Sequence, residues 1–174
     1  MTQLYLFEND YPYKRTKNPL VPSPKLEVSH VKLSYHSRVK PEDRPKVTCS
    51  QDAYNVFLNS WDMERIELVE EFKVLYLNRA NQAIGLYEAS VGGRAGTVVE
   101  PGHIAITGFL LNASGIILAH NHPSCNPKPS AQDIAMTKNM KEICKCAGME
   151  LLDHEIMPGN NPDYYSFADK GTMP

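Results

Sequence analysis

The chain has 174 residues, of which 42% are hydrophobic and 22% charged, and its formal net charge is −2. These values are ordinary for one globular domain and leave too little length for two full domains. No run approaches the roughly 18 apolar residues that span a bilayer, and the N-terminus lacks the basic and apolar regions of a secretory signal. We therefore expect a cytoplasmic protein without a membrane segment.

The N-terminal part of the chain differs in composition from the rest. Residues 1–46 hold nine Lys/Arg against five Asp/Glu, a charge of +4, which leaves −6 for the remainder. We predict an extended or partly disordered basic leader over residues 1–45 and one metal-binding domain over 46–174. The leader could bind nucleic acid, but its charges are scattered and no aromatic stacking pattern accompanies them, so a solvated leader is favoured.

The next segments alternate between strand and helix patterns. Residues 28–35 alternate well enough for a strand, and Ser50 is placed to cap a helix with apolar positions at helical spacing. Residues 68–78 are apolar on both faces, which is typical of a central strand. A second strand is predicted over 83–90, followed by a glycine-rich loop at 91–97.

The second half of the chain continues the alternation. A helix is predicted to begin at Pro101, and another to begin at Ser130 and end near Gly148. Further strands are predicted over 114–122, over 149–157 and, briefly, over 164–169. Alternating strands and helices indicate an α/β or α+β class with a mixed sheet.

Two histidines and a carboxylate form the clearest chemical pattern. His120 and His122 are two apart in an extended chain, so they project to the same side from the carboxyl end of a buried strand. A proline-rich loop then leads to a helix with Asp133 in its first turn. Two imidazoles and a carboxylate suit tetrahedral zinc, with water as the fourth ligand. Ser130 and Asp133 also form an S-x-x-D capping box, which could exist only to start the helix.

The whole arrangement, HxHP, six residues and then SxxD, resembles the JAMM (MPN/JAB) metalloprotease signature. The motif LAHNHPS…PS..D…T resembles its RadC branch. The resemblance to RadC extends to the segments EEFKVLYLNRANQ (70–82), GTVVEP (96–101), LLDH (151–154) and YYSFAD (164–169). The resemblance implies an α-β-α sandwich of the JAB/MPN type, with a mixed sheet flanked by helices and related to the cytidine deaminase fold. It also implies zinc-dependent hydrolysis of a peptide or isopeptide bond.

The resemblance assigns roles to individual residues. The zinc ligands would be His120, His122 and Asp133. Ser130 would stabilise the oxyanion of the tetrahedral intermediate. A glutamate just before the first long strand would act as the general base toward the attacking water.

Two adjacent glutamates compete for the role of base. RadC-like sequences usually carry it two residues before the phenylalanine, which selects Glu70 because Phe72 follows at that distance. Glu71 points to the opposite face of a strand. We expect Glu71 to be solvated at an edge or paired with Arg65 or Lys73.

Several residues depart from the pattern or fall outside it. RadC-like chains usually read HPSG, whereas this one has Cys125 in the last position. Cys125 could be a fourth ligand, a redox-sensitive thiol or a tolerated loop residue, and the last is favoured. All four cysteines are expected to be reduced thiols. His154 is expected to have a buried structural or supporting role, and His103 to lie in the first turn of a helix.

Three rival functions remain open. A nucleic-acid-associated factor would use the leader, but residues 1–46 contain no helix-hairpin-helix pattern, so the RadC label of DNA repair gains no support. A binding module with a vestigial metal site is weakened because every ligand type is present. A deaminase would need H-x-E and P-C-x-x-C strings, which the chain lacks. A peptide or protein substrate is the expected partner, and the oligomeric state is open.

Overall fold

The structure is a computed structural model that describes residues 35, 37–92, 99–159 and 163–174. Its strands are β1 (Glu71–Leu77), β2 (Ala83–Val91), β3 (Gly115–Asn121), β4 (Glu150–Met157) and β5 (Tyr165–Ser166). Its helices are α1 (Ser50–Leu58), α2 (Pro101–Leu111) and α3 (Ala131–Cys146), preceded by a short 3-10 helix at Pro41–Asp43. Residues 28–34 of the strand predicted at 28–35, and most of the glycine-rich loop, lie outside the described residues.

The five strands form one mixed sheet in the order β2-β1-β3-β4-β5. β1 is antiparallel to both β2 and β3, β3 is parallel to β4, and β5 is antiparallel to β4. Helix α3 connects the parallel pair, as a crossover connection requires. The register sets Phe72, at the start of β1, opposite His120 near the end of β3. The beginning of β1 therefore lies beside the end of β3.

The helices cover both faces of the sheet, which confirms the predicted layered α/β architecture. Alternate residues of the central strands pack into two apolar cores, one on each face. The core on the α1 side includes Phe57, Trp61, Leu75 and Ile117. The core on the α2 and α3 side includes Phe72, Tyr76, Leu118, Met140 and Met149. All seven residues of β1 are buried, as predicted for a central strand.

The start of α1 differs from the prediction. The residue at its N-cap is Cys49, without a side-chain cap, and Ser50 is the first helical residue. The Ser50 hydroxyl donates to the carboxylate of Asp169 and lies 2.8 Å from the Tyr164 hydroxyl. Both partners lie more than 110 positions further along the chain. The Ser50 hydroxyl therefore makes tertiary hydrogen bonds and does not cap the helix as predicted.

The other predicted helix ends are confirmed. Pro101 is the first residue of α2, where a missing N–H is harmless. Helix α3 ends at Cys146, and Gly148 adopts a left-handed φ of 68° just beyond it. That conformation favours glycine because it has no Cβ.

Residues before the first long strand contact the edge of the sheet. Lys46 forms a bridge with Gln82, the Ala83 N–H donates to the Pro45 carbonyl, and the Gln82 side chain donates to the Pro41 carbonyl. The predicted domain boundary after residue 45 and the nature of the leader stay predictions, because residues 1–34 lie outside the described part. Within the described residues, no helix combines the length and apolar character needed to cross a membrane.

Candidate metal centre

Strand β3 delivers two histidines to one side of the sheet. His120 is the penultimate residue of β3 and is 1% exposed. The His122 N–H donates to the carbonyl of Met157, which keeps the chain extended for one residue beyond the strand. Because the backbone stays extended, His122 projects to the same side as His120. Their Nε2 atoms lie 2.9 Å apart.

The first turn of α3 brings Asp133 to the same point. The Ser130 hydroxyl accepts the Asp133 N–H, and Asp133 Oδ2 accepts the Ser130 N–H at 2.6 Å, a complete capping box. This pair of hydrogen bonds fixes the Asp133 side chain. Asp133 Oδ1 then lies 3.2 Å from His120 Nε2, and Oδ2 lies 3.5 Å from His122 Nε2.

The three donors fit a divalent metal ion. Among the described residues, only His120, His122 and Asp133 form a metal-type cluster, with donor atoms all within 4.8 Å of one another. His122 Nδ1 lies 2.7 Å from the Asn126 carbonyl, an acceptor, so Nδ1 carries the hydrogen and Nε2 its lone pair. Two nitrogens and one carboxylate oxygen, all reaching one cavity, are a donor set that zinc accepts with a position left open.

The charges in the cluster depend on one another. Burial alone would raise the pKa of Asp133, but the nearby imidazoles of His120 and His122, together with hydrogen bonding to Ser130, hold that pKa far below its ordinary range. The Asp133 carboxylate in turn raises the pKa of His122, because it accepts a hydrogen bond from Nε2 once that nitrogen is protonated, and the negative charge of Glu70 adds to this effect. A proton and a metal ion therefore compete for the same electron-rich point.

A cavity of about 320 Å³ opens over the cluster. Glu70 and Ser130 line it together with the three clustered residues, while Phe72, Val99 and Met136 supply apolar wall. The structure thus brings every residue proposed for catalysis or metal binding to one cavity.

Glu71 lies on the opposite face of β1 from this cavity. It is 6% exposed and pairs with Arg65 at 3.8 Å and with Lys73 at 3.6 Å, so it is partnered and buried and not solvated at an edge. Lys73 is itself buried and also contacts Glu88 and the Ser60 carbonyl. The geometry therefore leaves Glu70 as the glutamate at the cavity.

The family follows from comparison with known proteins. The sequence profile described as "RadC-like JAB domain" matches residues 47–172, which is most of the chain. The chain belongs to the RadC-like JAB domain family. This RadC-like assignment agrees with the layered α/β fold and with the position of the cluster at the end of β3.

Several RadC-like relatives are similar to this chain over part of their length. A UPF0758 protein of Salinibacter ruber is 36% identical over 140 residues, which cover 79% of this chain and 57% of that protein. A UPF0758 protein of Flavobacterium johnsoniae is 40% identical over 72% of this chain and 53% of that protein. Another, of Coprothermobacter proteolyticus, is 44% identical over 52% of this chain and 39% of that protein. The chain spans about half the length of the curated relatives it matches. The name UPF0758 states no activity.

Cys125, the departure from the RadC-like HPSG pattern, has a left-handed φ of 57°. Its Sγ lies 3.9 Å from the Pro123 carbonyl and packs beside Gly159. Within the described residues it is not part of the metal-type cluster, so the interpretation as a fourth ligand is not supported. All four cysteines are free, as predicted; Cys144 is buried and Cys146 exposed.

Two further histidines lie where the sequence predicted. His103 is exposed in the first turn of α2. His154 is fully buried, and its Nε2 lies 2.8 Å from His120 Nδ1. Burial lowers the pKa of His154 well below its ordinary value, which keeps the ring neutral.

Asn121, which lies between the two histidines, was not predicted to have a role. Its side chain accepts the Glu71 N–H at 2.7 Å and donates to the carbonyls of Ile66 and Val69 at 2.6 and 2.8 Å. The signal in the sequence is an asparagine in a strand predicted to be buried, because a buried amide needs hydrogen-bond partners. Asn121 is fully buried in the structure.

Proposed function

We propose that this chain is a zinc-dependent hydrolase that cuts a peptide or isopeptide bond. The observation that supports it best is the convergence of His120, His122 and Asp133 on a cavity that Glu70 and Ser130 also line. The peptide or isopeptide substrate is inferred from the resemblance of HxHP-x6-SxxD to the JAMM metalloproteases.

His120, His122 and Asp133 would hold the metal. When bound, zinc polarises the substrate carbonyl and lowers the pKa of water, so that a nucleophile is available near neutral pH. Hydrogen bonds to Asn126 and within the capping box hold the His122 and Asp133 side chains before any metal arrives. Such preorganisation favours binding because little reorganisation accompanies it.

Glu70 is proposed as the general base and then the general acid. Its carboxylate accepts a proton as the water oxygen bonds to the carbonyl carbon, and it donates that proton to the leaving nitrogen as the C–N bond breaks. The products are a neutral amine and a carboxylic acid. Asn121 holds the residues on each side of Glu70, because it bonds the Val69 carbonyl and the Glu71 N–H.

Ser130 is proposed to stabilise the negative charge that develops on the carbonyl oxygen. Its oxygen accepts the Asp133 N–H and lines the cavity, so its hydroxyl hydrogen is within reach of an oxyanion formed there. A donor aimed at a developing oxyanion is among the larger contributions to catalysis.

Replacement of Glu70 tests the proposed hydrolysis. We expect Glu70→Gln to lower the rate by about 10²–10⁴-fold, because the amide keeps the shape and cannot accept the proton. Zinc binding should persist. The measurement is cleavage of labelled casein and of a fluorogenic peptide linked through a lysine side chain, with the zinc-loaded protein.

Glu71→Gln is the matched control. It should retain the hydrolysis rate and lose only some stability, because Glu71 faces Lys73 and not the cavity. If zinc-loaded wild type cleaves neither substrate faster than Glu70→Gln, the proposed function is wrong. If Glu71→Gln is the inactive variant, the base has been assigned to the wrong glutamate.

A further inference from the structure

The second nitrogen of His120 faces another histidine. A metal-binding histidine usually donates its other N–H to a carboxylate, a carbonyl or water, and that bond fixes its tautomer. Here His120 Nδ1 lies 2.8 Å from His154 Nε2. An imidazole nitrogen can donate or accept, so the role of His154 Nε2 depends on which tautomer His154 adopts.

The hydroxyl of Thr137 selects the tautomer of His154. Its hydroxyl lies 2.6 Å from the backbone carbonyl of Asp133 and 2.7 Å from His154 Nδ1. A carbonyl only accepts, so the single hydroxyl hydrogen goes to Asp133. The Thr137 oxygen must then accept, which places the hydrogen of His154 on Nδ1.

The tautomer of His154 in turn determines that of His120. His154 is 0% exposed and stacks on Phe167 with ring centroids 5.2 Å apart, surroundings that disfavour a charged ring. A neutral His154 with its hydrogen on Nδ1 has a lone pair on Nε2, which accepts the Nδ1–H of His120. His120 Nε2 is then left with its lone pair directed at Asp133 and His122.

Given the metal centre proposed above, we propose that Thr137 and His154 are positioning residues that fix His120 in its metal-binding tautomer. The hydrogen bonds run from His120 to His154, from His154 to Thr137, and from Thr137 to the Asp133 carbonyl. This relay therefore begins at one ligand and ends at the backbone of another. It makes the orientation of His120 depend on the first turns of α3.

The relay is tested by removing one hydroxyl. Thr137→Val keeps the side-chain shape and lets His154 place its hydrogen on Nε2, where it would oppose the Nδ1–H of His120. We expect the affinity for Zn²⁺, measured by competition with a chromophoric chelator, to fall about 10–100-fold. Thr137→Ser, which keeps the hydroxyl, should restore affinity to near the wild-type value.

Thr107→Val is the matched control. Thr107 makes the same kind of bond to the carbonyl four residues earlier, that of His103, but in α2. Its loss should change zinc affinity less than twofold. If Thr137→Val binds zinc as tightly as wild type, the relay has no positioning role.

A second measurement does not depend on the variant folding. Nitrogen-15 NMR of the imidazole rings in wild type should show the hydrogen of His154 on Nδ1. Hydrogen on Nε2 would overturn the relay. Both readouts need no substrate, so a protein that binds zinc through this relay but hydrolyses nothing would contradict only the proposed activity.

Discussion

At the scale of single residues, Asn121 links the proposed metal ligands to the proposed base. Its backbone continues β3 between His120 and His122, while its side chain holds the chain on both sides of Glu70. The Asn121 amide is fully buried, where an unmatched donor or acceptor costs about 1–3 kcal/mol. One residue therefore holds the segment of Glu70 beside the two histidines, the groups that are proposed to act on the same water.

Glu155 is the most unusual buried residue on the other face of the sheet. It is 0% exposed, and among the described residues neither carboxylate oxygen has a hydrogen-bond partner. Burial, together with the nearby charges of Asp153 and Asp169, raises the pKa of Glu155 to about 9. The folded protein therefore keeps this carboxyl protonated at neutral pH.

Glu155 should make stability fall as pH rises. The unfolded chain releases the proton near a pKa of 4.5, whereas the folded chain holds it until about 9, so the unfolded state is favoured increasingly between these values. Glu155→Gln cannot ionise. The difference in free energy of unfolding between Glu155→Gln and wild type should therefore increase in favour of the variant, by up to about 3 kcal/mol, as the pH rises from 5 to 7.5.

The measurement is urea unfolding of both proteins at each pH. Glu150→Gln, an exposed residue at the start of the same strand, is the control and should show no such trend. A difference between wild type and Glu155→Gln that stays constant with pH would show that Glu155 is ionised in the folded state.

At the scale of elements, the start of α3 serves two purposes. The capping box of Ser130 and Asp133 satisfies backbone groups at the helix end, and the same two side chains line the cavity. The structural interpretation of S-x-x-D and the metal-binding one are therefore compatible. The helix start is what places the carboxylate beside His120.

Two substitutions separate the roles of Ser130. Ser130→Ala should lower the free energy of unfolding by about 1 kcal/mol, whereas Ser130→Gly should lower it by only a few tenths, because glycine is tolerated at a helix N-cap. Both lack the hydroxyl, so both should slow hydrolysis by about 10²–10³-fold. Wild-type rates in both variants would mean that Ser130 only caps the helix.

The elements that local pattern specifies were predicted well. Strand β3 with its two projecting histidines, helix α3 between Ser130 and Gly148, and the central position of β1 follow from period, caps and burial. Contacts between distant segments could not be predicted. The Asp169 carboxylate that takes the Ser50 hydroxyl is 119 positions away, and Asn121 reaches back 50 or more positions.

At the scale of the whole molecule, the mixed sheet organises the site. β1 and β3 are antiparallel neighbours, so the segment before β1 meets the end of β3. β3 and β4 are parallel neighbours joined through α3, so Asp133 and His154 approach His120 from the helix and from the next strand. The metal-type cluster therefore lies at the end of the central strand β3, within the part of the chain that matches the RadC-like JAB domain.

The central claim is that one metal ion binds at His120, His122 and Asp133, and elemental analysis of purified protein tests it most directly. Wild type and His103→Ala, which changes an exposed histidine of α2, should each contain one zinc per chain after zinc is supplied and excess is removed. His122→Ala should contain little or none, because it loses one of the donors. Equal zinc in His122→Ala and wild type, or a wild type that stays empty, would contradict the claim.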